Sequence, residues 1–143
     1  MRPGFTLIEF TIIIGIFAAL AILSTALTTT TLRRQEFDRV RETIRRELLA
    51  SRSDTIAGTN DAARGVAFFP HAITSFQGAS YATRNSVFDV TTNVSDAVTI
   101  SGVPEIDFLR PNGATTASST VTISDGTRES VITVTAAGVI DIR

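Results

Sequence analysis

The sequence predicts an α+β protein in which one long N-terminal helix packs on antiparallel β-sheets. Three observations point there. Residues 5–27 form an almost unbroken apolar run, and residues 32–56 carry apolar side chains at helical spacing. From Arg64 onward the apolar period becomes two, as strands require.

The first element is the apolar run. Its only ionisable side chain is Glu9. At about 1.5 Å per residue the run makes a helix roughly 35 Å long, enough to cross a hydrocarbon core of about 30 Å. Residues 5–27 are therefore expected to be a transmembrane helix. A carboxylate near its start is expensive, on the order of 2.5–3.5 kcal/mol at the bilayer centre and less near the interface. Such an acid calls for a partner, and the nearest candidate is the α-amine that cleavage before Phe5 would create.

The second element continues the first. Leu32, Phe37, Val40, Ile44 and Leu48 recur every three to five residues with charges between them, an amphipathic stripe running to about Ile56. Residues 28–57 are expected to be this continuation, ended by Gly58-Thr59-Asn60-Asp61. The threonines at 28–31 are poor helix formers, and local bending is expected there. Glu42 with Arg46 is a favourable spacing of four and Asp38 with Glu42 an unfavourable one, so ion pairs should add little.

The third part, residues 64–143, reads as a β-domain. Candidate strands are 65–69, 75–83, 86–92, 97–101, 105–109, 119–124, 129–135 and 139–142, separated mostly by Gly, Pro, Asn or Asp. Asp125-Gly126 and Ala137-Gly138 suit tight connections in a terminal meander. These strands must bury one face, and the stripe from Phe37 to Leu48 is available to cover it.

Composition narrows the function. At 143 residues there is room for one modest domain beside the anchor, and net charge −1 gives no general attraction to nucleic acid. Every basic residue is Arg, and Cys is absent, which excludes disulfides and thiolate metal sites. The mean hydropathy of +0.24 reflects the first helix. No cofactor is expected.

Residues Gly4-Phe5-Thr6-Leu7-Ile8-Glu9 resemble the prepilin peptidase site of type IV pilins and type II secretion pseudopilins. The resemblance implies a leader, residues 1–4, cut by prepilin peptidase between Gly4 and Phe5. It also implies N-methylation of Phe5 and a role for Glu9 in assembly. Pro3 stands where a Lys or Arg is common. A pilin-like fold is implied, with the chain sitting in the bacterial inner membrane by a single pass and its β-domain in the periplasm or outside the cell. Counting arginines alone places the C-terminal side in the cytoplasm, because six of them lie between 33 and 46. The motif implies the reverse, and that segment also holds Glu36, Asp38, Glu42 and Glu47.

Residues Ile106-Asp107-Phe108, Pro111-Asn112-Gly113, Val121-Thr122-Ile123, the strand around Val131–Val134 and Gly138-Val139-Ile140 resemble, more loosely, the H-type minor pseudopilins and T-type minor pilins (the GspH/FimT-like group). The implied function is a minor pseudopilin subunit of a type II secretion system, assembled into a pseudopilus with other pilin or pseudopilin subunits through the N-terminal helix. The alternative is a minor type IV pilin serving pilus assembly, adhesion or DNA uptake.

Other sites are weaker. His71 is single, follows Pro70 in an expected turn, and has no second ligand beside it. No Ser/His/Asp set is marked, and the chain is not expected to be an enzyme. Asp96, Glu105, Asp107, Asp125 and Glu129 do not follow a calcium-loop spacing. Beyond the helix Arg64, Arg84, Arg110, Arg128 and Arg143 face eight acids, so DNA is not an expected partner.

Overall fold

The computed structural model describes residues 6–143, with the side chains of 23–30 set aside. One helix, α1, runs from Leu7 to Ile56 over 50 residues and is unbroken through the threonines at 28–31. The chain divides within this helix into two compact units, Met1–Gln35 and Glu36–Arg143. The expected transmembrane run begins at Phe5, and Phe5 and the side chains of 23–27 lie outside the described residues. Among the described residues no helix is long and apolar enough to cross a membrane.

In the second unit α1 supplies Phe37, Val40, Ile44 and Leu48, each at most 4% exposed. Leu32, read as part of the same stripe, is exposed, and the buried face instead continues past Leu48 through Ser51 and Thr55. These two are polar, so apolar periodicity misses them. Thr55 Oγ1 donates to the Ser51 carbonyl at 2.8 Å and accepts from the Arg64 N–H at 3.1 Å. The buried hydroxyl is thereby satisfied, and the end of the helix is tied to the first strand. Gly58, at φ 68°, ψ 24°, takes the left-handed conformation that stops α1.

Eight strands follow in two antiparallel sheets. They are β1 (Arg64–Phe69), β2 (Ala72–Gln77), β3 (Val90–Asn93), β4 (Thr99–Gly102), β5 (Glu105–Phe108), β6 (Ser119–Ser124), β7 (Glu129–Val134) and β8 (Ile140–Ile142). The first sheet has the order β3-β2-β1-β5 and the second β4-β6-β7-β8. The terminal meander is as expected: Asp125-Gly126 lies in the β6–β7 turn and Ala137-Gly138 in the β7–β8 turn.

The stretch containing β4 and β5 belongs to both sheets. Thr99–Gly102 pairs with β6, and after Val103-Pro104 the chain pairs with β1. The switch occurs at Gly102, φ 115°, where a Cβ would collide with the Thr120 carbonyl. A sheet change at a kinked glycine is how one strand turns a corner. The core joins the helix to both sheets: Val66, Ile73, Ile106 and Phe108 from the first, Val121, Ile123, Ile132 and Val134 from the second, all against the helical stripe.

The segment between β2 and β3 differs from the expectation. Strands were expected over 75–83 and 86–92; β2 instead ends at Gln77, and residues 86–88 form a 3-10 turn capped by Asn85 Oδ1, which accepts from the Val87 N–H at 3.2 Å. Tyr81, Val87 and Phe88 mimic strand alternation, but Tyr81 packs instead across the first sheet. Its ring makes edge contacts with Phe69 at 5.3 Å and Phe76 at 5.6 Å.

Candidate assembly site

Glu9 occupies the first turn of α1. The Thr6 N–H donates to Glu9 Oε2 at 3.0 Å and the Thr6 hydroxyl to the same oxygen at 2.9 Å. In return the Glu9 N–H donates to Thr6 Oγ1 at 3.3 Å. This is a reciprocal capping box, Thr-x-x-Glu, in which two of the orphan N–H groups at a helix start are satisfied together. A carboxylate here also lies at the positive end of the helix dipole. Among the described residues Glu9 is therefore partnered by Thr6. The spacing was visible in the sequence, but the acid was read only against a distant amine. Gly4 and Phe5, the expected processing and methylation positions, lie outside the described residues.

Between Leu7 and Ile22, Glu9 and Thr11 apart, the helix surface is apolar on every side. Leu7, Ile8, Phe10, Ile12, Ile14, Ile16, Phe17, Leu20 and Ile22 are each more than half exposed. A helix apolar all round is stable only where something other than water surrounds it. Thr11 turns its hydroxyl inward to the Leu7 carbonyl at 2.6 Å, which keeps that polar group satisfied without a water partner.

In the second unit the five arginines beyond the helix each meet a carboxylate. Arg64 lies 3.5 Å from Asp54, Arg84 2.7 Å from Asp89 and Arg143 3.0 Å from Asp141. Arg110 pairs with Asp61, and Arg128 sits 3.1 Å from Asp125 with Asp38 at 3.7 Å. Positive charge that is neutralised locally gives phosphates little to bind. On α1, Glu36 pairs with Arg39 and Arg46 with Glu47, and Glu42 takes Arg45 at i,i+3 rather than Arg46 at i,i+4.

Arg84 organises the segment that the sequence misread. Its Nη1 donates to the Tyr81 carbonyl at 2.8 Å, and its guanidinium lies 3.6 Å above the centre of the Tyr81 ring. The Asp89 carboxylate, hydrogen-bonded to it, holds the guanidinium protonated even more firmly than usual. Glu105, one of the five acids considered for calcium, accepts from the Tyr81 N–H at 2.6 Å. Asp125 closes its own turn, accepting from the Thr127 and Arg128 N–H groups at 2.9 and 2.7 Å. His71 is in the β1–β2 turn, as expected, with Nδ1 3.1 Å from Asp96. Among the described residues no three His, Cys, Asp or Glu side chains gather around a metal-sized space.

No family model and no curated protein matches the sequence. Among solved structures, the minor pseudopilin EpsH from the type 2 secretion system of Vibrio cholerae matches at 14% identity with a TM-score of 0.58. The match covers 76% of this chain and 96% of that one. The chain thus has the α+β, pilin-like fold of a minor pseudopilin.

Proposed function

We propose that this chain is a minor pseudopilin, a structural subunit of a type II secretion pseudopilus that assembles with other pilin or pseudopilin subunits. The observation that carries the reading is an EpsH-like domain continuous with a helix that is apolar on all sides and starts at the Thr6–Glu9 box. In this reading the precursor sits in the inner membrane by a single pass, is cut by prepilin peptidase between Gly4 and Phe5, and is methylated at Phe5. Its β-domain lies in the periplasm.

Assembly is then an exchange of partners at Glu9. In the lone subunit Thr6 satisfies the carboxylate. In the filament the Phe5 amine of a neighbour replaces or joins Thr6. A capping interaction is worth about 0.5–2 kcal/mol, and polar pairing between helices in lipid about 1–2 kcal/mol. The exchange is nearly balanced, so the amine selects axial register while packing of the apolar faces holds the helices together. Lipid tails are as apolar as these side chains, which is why packing rather than hydrophobic burial must do that.

The test is the mass of the mature N-terminal peptide from the native host. Loss of Met1-Arg2-Pro3-Gly4 with one added methyl group supports the reading, and a chain still beginning at Met1 sinks it. The alternative, a minor type IV pilin for adhesion or DNA uptake, shares the same anchor. Its DNA-binding form predicts a salt-dependent gel shift, and the neutralised arginines argue against one.

A further inference from the structure

The first sheet ends on β3, and among the described residues no strand pairs with its outer edge. The Val94 N–H donates to the His71 carbonyl at 2.9 Å, which makes 71 and 94 a hydrogen-bonded pair. Antiparallel pairing alternates every second residue, so Ile73/Thr92 and Ser75/Val90 are bonded likewise. The backbone groups of Thr91 and Asn93 therefore point away from β2. The other three edges are guarded in the usual ways. The β5 edge carries Glu105 and Asp107, β8 is three residues long with Asp141 at its centre and Arg143 after it, and β4 ends in the Gly102 kink before Pro104. The β3 sequence, Val90-Thr91-Thr92-Asn93, has no charge, proline or bulge.

Beside this edge is a groove of about 310 Å³ with α1 as its opposite wall. Val40, Thr43 and Arg46 line the helix side and Thr92, Asn93 and Ser95 the strand side. Its charged rim is matched within the chain: Glu36 with Arg39 at 3.7 Å, Glu42 with Arg45 at 3.2 Å and Arg46 with Glu47 at 3.7 Å. No net charge remains to favour an acidic or basic occupant. The volume is near the lower end of ligand sites, about 300–1,000 Å³, so bulky side chains are disfavoured. The open edge continues into Val87 and Val90, both more than half exposed.

We infer that this groove receives an extended, uncharged, Thr/Ser/Val-rich segment of a partner polypeptide, which adds to β3 as a fifth strand between the sheet edge and α1. Backbone pairing at Thr91 and Asn93 supplies the affinity, and small side chains alternating toward the Val40–Thr43 wall supply the selection. The site lies wholly within residues 36–143 and is independent of the apolar helix, Glu9 and the pseudopilin reading.

The probe is a fluorescein-labelled, capped hexapeptide, Thr-Val-Thr-Val-Ser-Thr, titrated into the full chain in dodecyl maltoside micelles. Saturable binding is expected. Thr91→Pro removes an N–H that faces the open edge, a place where proline is tolerated, and also the hydroxyl that pairs with buried Thr74 at 3.0 Å. The melting midpoint should therefore fall modestly while the domain stays folded and affinity falls roughly tenfold or more. N-methylating alternate peptide amides leaves the protein untouched and should give the same loss. No binding at millimolar peptide, or binding indifferent to both changes, overturns the inference. Self-association of the chain that Thr91→Pro abolishes, with the peptide excluded, overturns it in favour of a second copy as occupant.

Discussion

The two halves of α1 have the same backbone and opposite sources of stability. Between Glu36 and Ile56 one stripe, Phe37, Val40, Ile44 and Leu48, is buried against two sheets, and the remaining faces carry ion pairs. Between Leu7 and Ile22 the large apolar side chains are exposed on every face. The first arrangement is complete within one molecule. In the proposed function the second is completed by lipid or by other helices. A periodic stripe thus marks the half of the helix that packs on its own domain, and an even apolar surface marks the half for which the proposed function supplies the partners.

Substitutions in the two halves sharpen that contrast. The largest expected effect is Ile44→Ala, which should destabilise residues 36–143 by about 2–5 kcal/mol in a denaturant titration followed through Tyr81, because the cavity opens in the middle of the core. Gly102→Ala should cost about 1–3 kcal/mol in the same assay, from left-handed backbone strain and the close Thr120 carbonyl. Glu9→Ala should leave that titration unchanged yet lower filament incorporation roughly fivefold to thirtyfold, the equivalent of about 1–2 kcal/mol. Equal incorporation of mutant and wild type would break the proposed role. Ile14→Ala, in the stripeless half, should change the stability of the β-domain by less than about 0.5 kcal/mol. A larger change would mean the two halves are not energetically separate.

The smallest expected effect concerns acid. The Arg128 and Thr127 N–H groups, with help from the Arg128 side chain, hold the Asp125 carboxyl below its ordinary value of 3.8. A lowered folded value contributes stability that is complete above the unfolded value and is lost as pH falls through the folded one. The melting midpoint should therefore drop on acidification below about pH 4. Asp125→Asn should flatten part of that drop and lower the midpoint near pH 7, where the contribution of the ionised carboxylate is fully present.

Much of this fold was legible because its signals are local and repetitive. The strand expected at 119–124 coincides with β6, and of the apolar residues expected in the helical stripe Phe37, Val40, Ile44 and Leu48 are buried while Leu32 is exposed. What failed did so for two reasons. The segment 78–88 has the alternation of a strand, yet its shape is set by contacts distant in sequence, Tyr81 with Phe69 and Glu105. Ser51 and Thr55 are buried although polar, with the Thr55 hydroxyl bonded to the Ser51 carbonyl and the Arg64 N–H, and hydrophobicity does not register that. At the assembly site Glu9 was legible as an acid in need of a partner. The Thr6–Glu9 box was equally legible, but an apolar context drew the reading toward the membrane rather than the helix terminus.

The stretch that crosses from β4 to β5 leaves the domain without a seam. Neither sheet can peel away while the other stays intact, because both lean on the same short piece of chain at Gly102–Pro104. A tug on either layer is shared at once by its neighbour. A protease seeking a half-open form should therefore find none, and digestion should yield whole domain or small fragments, with no long-lived single sheet between them.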